Sequence, residues 1–120
     1  MHRSLFASFK VAFGGIYYAF LYNRNLKIHV LAAVLVIFAS ILFKVNPFEN
    51  AILGIVILLV FAAEMINTAI EEMVNLITTE HRKEAKIAKD VAAGMVLVVA
   101  AGALVAGILI FTPYIIQLFE

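Results

Sequence analysis

Cysteine is absent from the 120 residues, which excludes disulfides and thiolate chemistry but leaves the redox compartment open. Charge is scarce as well: Asp, Glu, Lys and Arg make up 14% of the chain, and the net charge is +1. So small a field gives nucleic acid nothing to hold, so no such partner is expected, and the basic residues are better read for membrane orientation. No internal repeat or low-complexity segment occurs. Gly14-Gly15 is weak evidence for a phosphate loop, because no Lys-Ser or Lys-Thr follows it and no strand precedes it; a helix bend or a close backbone approach is the other use of such a pair. The N-terminus lacks an uninterrupted apolar core followed by a small-residue cleavage site, so a removed signal peptide is not expected. What the chain has instead is apolar residues, 65% of the total, with a mean hydropathy of +1.07. This is the composition of an integral membrane protein. Three apolar segments and a leading amphipathic stretch occupy a single domain, residues 1–120, and no length remains for a separate soluble catalytic domain.

Along the chain, Leu5, Phe9, Ala12, Ile16 and Phe20 recur at three- and four-residue steps. That spacing predicts a helix over about 4–22, lying amphipathically at the membrane interface or packed on the bundle without touching lipid. A polar hinge, Asn23 to Lys27, precedes a first span over about 28–45. A turn around Lys44, Asn46, Pro47 and Glu49 follows, Pro47 disfavouring helical continuation. The second span covers about 51–77. Residues 78–89 are the most charged segment and are expected in water, and a third span covers about 91–111 until Thr112-Pro113 breaks the pattern. Arg3, Lys10, Arg24, Lys27, Arg82, Lys83, Lys86 and Lys89 all fall on one side, and Lys44 on the other. The positive-inside rule then makes the N-terminus and the 78–89 loop cytoplasmic and puts the C-terminus outside. Gly102 with Ala106, and Ala103 with Gly107, form small-xxx-small pairs of the kind that let helices pack closely.

The stretch Glu64-Met-Ile-Asn-Thr-Ala-Ile-Glu71 is the conspicuous exception to this apolar pattern. Glu64, Asn67 and Glu71 are spaced i, i+3, i+7 and project from one helix face, and acidic groups in a spanning helix are costly and usually functional. With that orientation Glu71 is expected near the cytoplasmic surface and Glu64 about 10 Å deeper. Carboxylates grouped with an amide suit a hard cation such as Mg²⁺, and a deeper carboxylate suits proton removal. Lys89 and Asp90 would add a phosphate-neutralising charge and a further acceptor, the parts of phosphoryl transfer. Spacing alone leaves three readings open: a catalytic metal site, a proton or ion pathway, and polar helix packing.

Glu64-Met-Ile-Asn-Thr-Ala-Ile-Glu71 followed by Ala85-Lys-Ile-Ala-Lys-Asp-Val-Ala-Ala-Gly94 resembles the prokaryotic diacylglycerol kinase family, and within it the undecaprenol kinases of Gram-positive bacteria. The likeness extends to Ser8-Phe9-Lys10, Gly15-Ile16 and Lys27-Ile28-His29, and so to nearly the whole chain. It implies an all-α integral membrane kinase, with an N-terminal amphipathic surface helix, three transmembrane helices and a homotrimeric bundle in the bacterial plasma membrane. Its implied reaction moves the γ-phosphate of ATP, with Mg²⁺, onto a lipid alcohol, undecaprenol or alternatively diacylglycerol, at the cytoplasmic face. The implied roles are Glu64 as catalytic base, Asn67 as a positioning residue beside it and Glu71 as a metal ligand. Lys89, Asp90 and Arg82 take the nucleotide and phosphate side, and neighbouring subunits close each site. Asn23 stands where the family commonly carries a second, acidic metal ligand. A carbonyl there supplies no charge, so weaker metal binding is expected, and a weakly active or non-catalytic member is the second reading. Tyr17 stands where a basic residue is frequent, and Asn75 where Asp is frequent.

Overall fold

The computed structural model describes residues 4–120, so Arg3, one of the bases used for orientation, lies outside the described residues. The chain forms four helices, α1 (Leu5–Tyr22), α2 (Arg24–Leu42), α3 (Pro47–Ile77) and α4 (Lys83–Gln117), with no strand among the described residues. All four are long and apolar enough to cross a membrane. The antiparallel α3–α4 hairpin is the main packing unit; α2 leans on α3, and α1 touches α2 and α3.

Each boundary has a local cause. The Ser4 hydroxyl accepts from Ala7 N at 3.1 Å and caps α1. The expected five-residue hinge contracts to Asn23 alone, which ends α1 by donating its backbone N–H to Ala19 O and starts α2 by accepting from Leu26 N with Oδ1. One Asx residue in extended conformation can serve both ends, because its side chain replaces a missing helical acceptor. At the far end of α2, Lys44 adopts the left-handed conformation, φ 52°. Val45 N bonds Ser40 O and Lys44 N bonds Ile41 O, the pattern of a helix stop that normally uses glycine. Val45, thus turned inward, is buried with Leu53 and Ile110, and Phe43, Phe111 and Tyr114 pack around them. Asn46 then caps α3 through Glu49 N at 2.8 Å, with Pro47 at the first helical position, where its missing N–H costs nothing.

Two expectations at α4 change. The charged segment is not a loop throughout, since helix begins at Lys83 and leaves Thr78 to Arg82 as the connection. Nor does Pro113 end the helix, which runs on to Gln117. Proline removes one backbone donor near a helix end, and this far along few further bonds depend on it. The Thr112 hydroxyl meanwhile donates to Ile108 O inside the same turn.

The small residues of α4 do not bring helices together within the chain. A Cβ added at Gly102 or Gly107 would meet nothing within 4 Å, and Ala100, Ala103 and Gly107 instead wall an open groove against α2 and α3. The surface is correspondingly large, 9213 Å², against roughly 6,400 Å² for a compact soluble protein of this mass. Leu58, Leu97, Val98, Leu104 and Leu109 are among the exposed apolar side chains, a surface stable only when hydrocarbon or other protein covers it.

Candidate active site

Glu64 is the centre of the polar interior. Its side chain has no exposed surface, because the α3 face bearing Val60, Ala63, Glu64 and Asn67 turns toward the other helices. Asn23 reaches it from the α1–α2 junction, donating through Nδ2 to Glu64 Oε2 at 2.9 Å, to Thr68 Oγ1 at 2.8 Å and to Glu64 O at 3.3 Å. Thr68 Oγ1 in turn donates to Glu64 O at 3.0 Å. On the other side, His29 Nε2 from α2 lies 3.2 Å from Glu64 Oε1. That contact is close but poorly aligned for a hydrogen bond, so Oε1 has no aligned donor. A buried carboxylate oxygen left without an aligned donor is costly unless a proton or a hydroxyl reaches it.

The polar stripe continues along α3 toward the 78–82 connection. Asn67, 6% exposed, donates through Nδ2 to Glu71 Oε1 at 3.2 Å, while its Oδ1 is buried without a partner. An acceptor left orphaned beside a carboxylate is costly unless something supplies positive charge or a donor there. Eleven residues beyond Glu64, a whole number of turns to within about 20°, Asn75 lies on the same α3 face. Its Oδ1 accepts from Lys89 Nζ of α4 at 2.8 Å. Lys89, Asp90, Lys86, Arg82 and His81 line an open groove of about 560 Å³ between the ends of α3 and α4. Within it Lys86 Nζ pairs with Asp90 Oδ2 at 2.6 Å, and Arg82 Nε with Glu80 Oε2 at 3.4 Å. Tyr18 OH, on α1, donates to Glu72 Oε1 at 2.9 Å and ties α1 to this part of α3.

The residues singled out in the sequence therefore fall into two groups joined by one helix face. Asn23, Glu64, Asn67 and Glu71 lie toward the α1–α2 junction; Arg82, Lys89 and Asp90 lie in the groove. Asn23 sits against Glu64 and not against Glu71, with its carbonyl engaged in capping α2. Among the described residues no three His, Asp or Glu side chains gather as a metal cage. The donor set present for a hard cation is the Glu71 carboxylate with the orphaned Asn67 Oδ1, both oxygen ligands of the right kind for Mg²⁺ held partly by water and phosphate. His29 carried no periodic signal, because its role depends on helices meeting across 35 residues; Thr68, four residues from Glu64, shares the polar face, but only the approach of Asn23 gives its hydroxyl a partner on another segment.

Compared with known proteins, residues 10–111 match the family described as prokaryotic diacylglycerol kinase. The chain is 39% identical over 116 residues to a diacylglycerol kinase of Synechocystis, covering 96% of this chain and 66% of that protein. It is 41% identical over 108 residues to an undecaprenol kinase of Bacillus subtilis, covering 90% of this chain and 88% of that one. The chain belongs to the prokaryotic diacylglycerol kinase family. Membership places it among the lipid kinases, membrane enzymes that draw phosphate from ATP.

Proposed function

We propose that the chain transfers the γ-phosphate of ATP to the hydroxyl of a lipid alcohol, undecaprenol first, at the cytoplasmic face of a bacterial plasma membrane. The observation that carries this reading is the fully buried Glu64, gripped by Asn23 on one oxygen and without an aligned donor on the other. Glu64 Oε1 accepts the alcohol proton as the alcohol oxygen attacks the γ-phosphorus. The new O–P bond forms as the bond from γ-phosphorus to the bridging oxygen breaks, ADP leaves, and the proton remains on Glu64 until solvent removes it. No phosphoryl group rests on the protein. Asn67 keeps the stripe aligned between Glu64 and Glu71. Lys89, held by Asn75, and Arg82 neutralise phosphate charge from the groove, with Asp90 restraining Lys86 beside them. Glu71 and Asn67 Oδ1 are the groups that would hold Mg²⁺, with Asn23 available only by giving up its cap. When bound, Mg²⁺ supplies charge neutralisation and orientation for the phosphates.

The membrane arrangement follows from lengths. α2 covers about 28 Å, and α3 from Pro47 to Glu64 about 26 Å, each matching a hydrocarbon core of about 30 Å. Because Asn23 meets Glu64, this reading sets the base near the cytoplasmic boundary of that core. Glu71 and the Lys89 groove then project into the headgroup and aqueous layers. α1 lies along the surface, the C-terminus faces out, and a homotrimer covers the apolar flanks and closes each site. The exposed apolar surface and the unpacked glycines of α4 support this assembly.

A second reading keeps diacylglycerol as acceptor, or a weakly active enzyme. It is favoured by Asn23, which offers Glu64 a neutral amide and no metal-binding charge. The test is a panel of lipid alcohols with purified protein in micelles, ATP, and Mg²⁺ present or absent. Undecaprenol should be phosphorylated faster than diacylglycerol, and Glu64→Gln should lower turnover by roughly 10²–10⁴-fold with the melting profile kept. Full activity in E64Q, or a labelled phospho-protein, would refute the assigned base or the direct transfer.

A further inference from the structure

His29 belongs to two features at once. Its Nε2 is 3.2 Å from Glu64 Oε1, and its ring forms part of the apolar groove of about 250 Å³ bounded by α2, α3 and α4. Val36, Leu53, Ile57, Phe61, Leu104 and Gly107 line the rest. His29 is the one polar side chain among the described residues of that lining. From Leu53 to Phe61 the wall follows eight residues of α3, about 12 Å along the bilayer normal. The groove therefore runs as a strip of hydrocarbon lining that ends in an imidazole, and the imidazole ends on the buried carboxylate.

Resting on the kinase reading above, we infer that His29 is a positioning and specificity residue. It sets Glu64 Oε1 at the head of the α2–α3–α4 groove and meets there the hydroxyl of a lipid alcohol whose chain fills that groove. The chemistry selects the occupant. A polyprenol carries its hydroxyl at the end of a wholly apolar chain, so the groove asks nothing of it beyond burial. A glycerolipid carries ester carbonyls within a few bonds of the hydroxyl, and below His29 the walls offer them no donor. The unaligned 3.2 Å contact between His29 and Glu64 leaves Oε1 short of a donor, and a hydroxyl brought beside the pair would donate to Oε1 and accept from Nε2–H. Gly107, where an added Cβ would meet nothing within 4 Å, and the small side chain of Ala103 leave this strip clear.

The test uses the full chain in micelles with saturating ATP and Mg²⁺, with undecaprenol and diacylglycerol as separate acceptors. His29→Leu is expected to lower kcat for undecaprenol by roughly 10²-fold without changing KM for ATP. His29→Gln, which keeps a side-chain N–H, should recover at least about tenfold of that loss. Ala103→Phe, placed in the groove with Val60 and Phe61, about one turn of α3 from Glu64, should raise KM for undecaprenol about tenfold or more while altering KM for diacylglycerol less. A cooperative melting profile with the parental midpoint marks each variant as folded. Parental kcat in H29L, a loss spread equally over KM for ATP, or an A103F variant that changes oligomeric state with KM for undecaprenol unmoved would each overturn the inference. The last outcome would mean that a second copy of the chain fills the groove. A parent protein that phosphorylates no lipid alcohol would overturn the kinase reading itself, which an active parent with indifferent His29 variants would leave standing.

Discussion

Replacing Asn23 by Glu tests the electrostatics of the site most directly. In the natural chain the Asn23 amide gives Glu64 Oε2 a hydrogen bond of 2.9 Å, caps α2 through Leu26 N and bonds Thr68. A glutamate keeps no N–H for either oxygen. The lost hydrogen bond to a charged, buried acceptor is worth about 1.5–3 kcal/mol, and the lost cap about 1 kcal/mol. Two carboxylates about 4 Å apart add repulsion of about 4 kcal/mol at an effective dielectric of about 20. Apo N23E should therefore be less stable than the parent by several kcal/mol, and a divalent cation placed between the two acids should return much of that. Thermal melts in micelles with EDTA or with Mg²⁺ read this directly: the Mg²⁺-dependent rise in midpoint should be several-fold larger for N23E than for the parent. Asn23→Ala, which loses the same bonds without adding charge, should be destabilised and show no larger Mg²⁺ response than the parent. Equal Mg²⁺ responses in N23E and the parent would refute the idea that position 23 and Glu64 share one electrostatic environment. Turnover in the same samples distinguishes two further cases. A gain of orders of magnitude in N23E marks the natural site as metal-poor, and an unchanged rate marks the Asn23 arrangement as sufficient.

Lys89→Met removes the cation held by Asn75 Oδ1 at 2.8 Å and should raise KM for ATP at least about tenfold while leaving the acceptor KM within about twofold, measured by initial rates at varied ATP. Lys44→Gly relieves a left-handed backbone in a non-glycine residue and should stabilise the chain by about 1 kcal/mol, read as a raised melting midpoint with turnover unchanged. Tyr114→Phe deletes a hydroxyl that donates to Glu49 Oε1 at 2.7 Å and accepts from Asn46 N at 3.2 Å. It should cost about 1–2 kcal/mol at the α2–α3 turn, and kcat should not move, because Glu64 is some 25 Å away along α3.

Much was legible because helices in a membrane are local objects. Apolar runs of the right length mark α2, α3 and α4, and Pro47 behind Asn46 marks a helix start, since each signal lies within a few residues of its effect. The stripe of Glu64, Asn67 and Glu71 was legible for the same reason, because a helix repeats on itself and sequence spacing fixes which side chains share a face. What the sequence by itself determined is therefore the apolar helices, the polar face of α3, the basic bias toward one side and the family likeness.

The tertiary structure decided what meets what. Asn23 reads as a polar hinge residue, and only the approach of α1 and α2 to α3 turns its amide onto Glu64. His29 lies 35 residues from Glu64, Lys89 lies 14 from Asn75, and no period in the chain links either pair. Gly102 and Gly107 read as helix contacts, yet within one chain they face open space, because whether a small residue receives a neighbour depends on that neighbour's position. Spacing along α3 gives the distance of Glu64 from Glu71, but only the hydrogen bond from Asn23 sets it level with the start of α2. Periodicity carries information along one helix, and a site built from three helices depends on interhelical distances that periodicity does not contain.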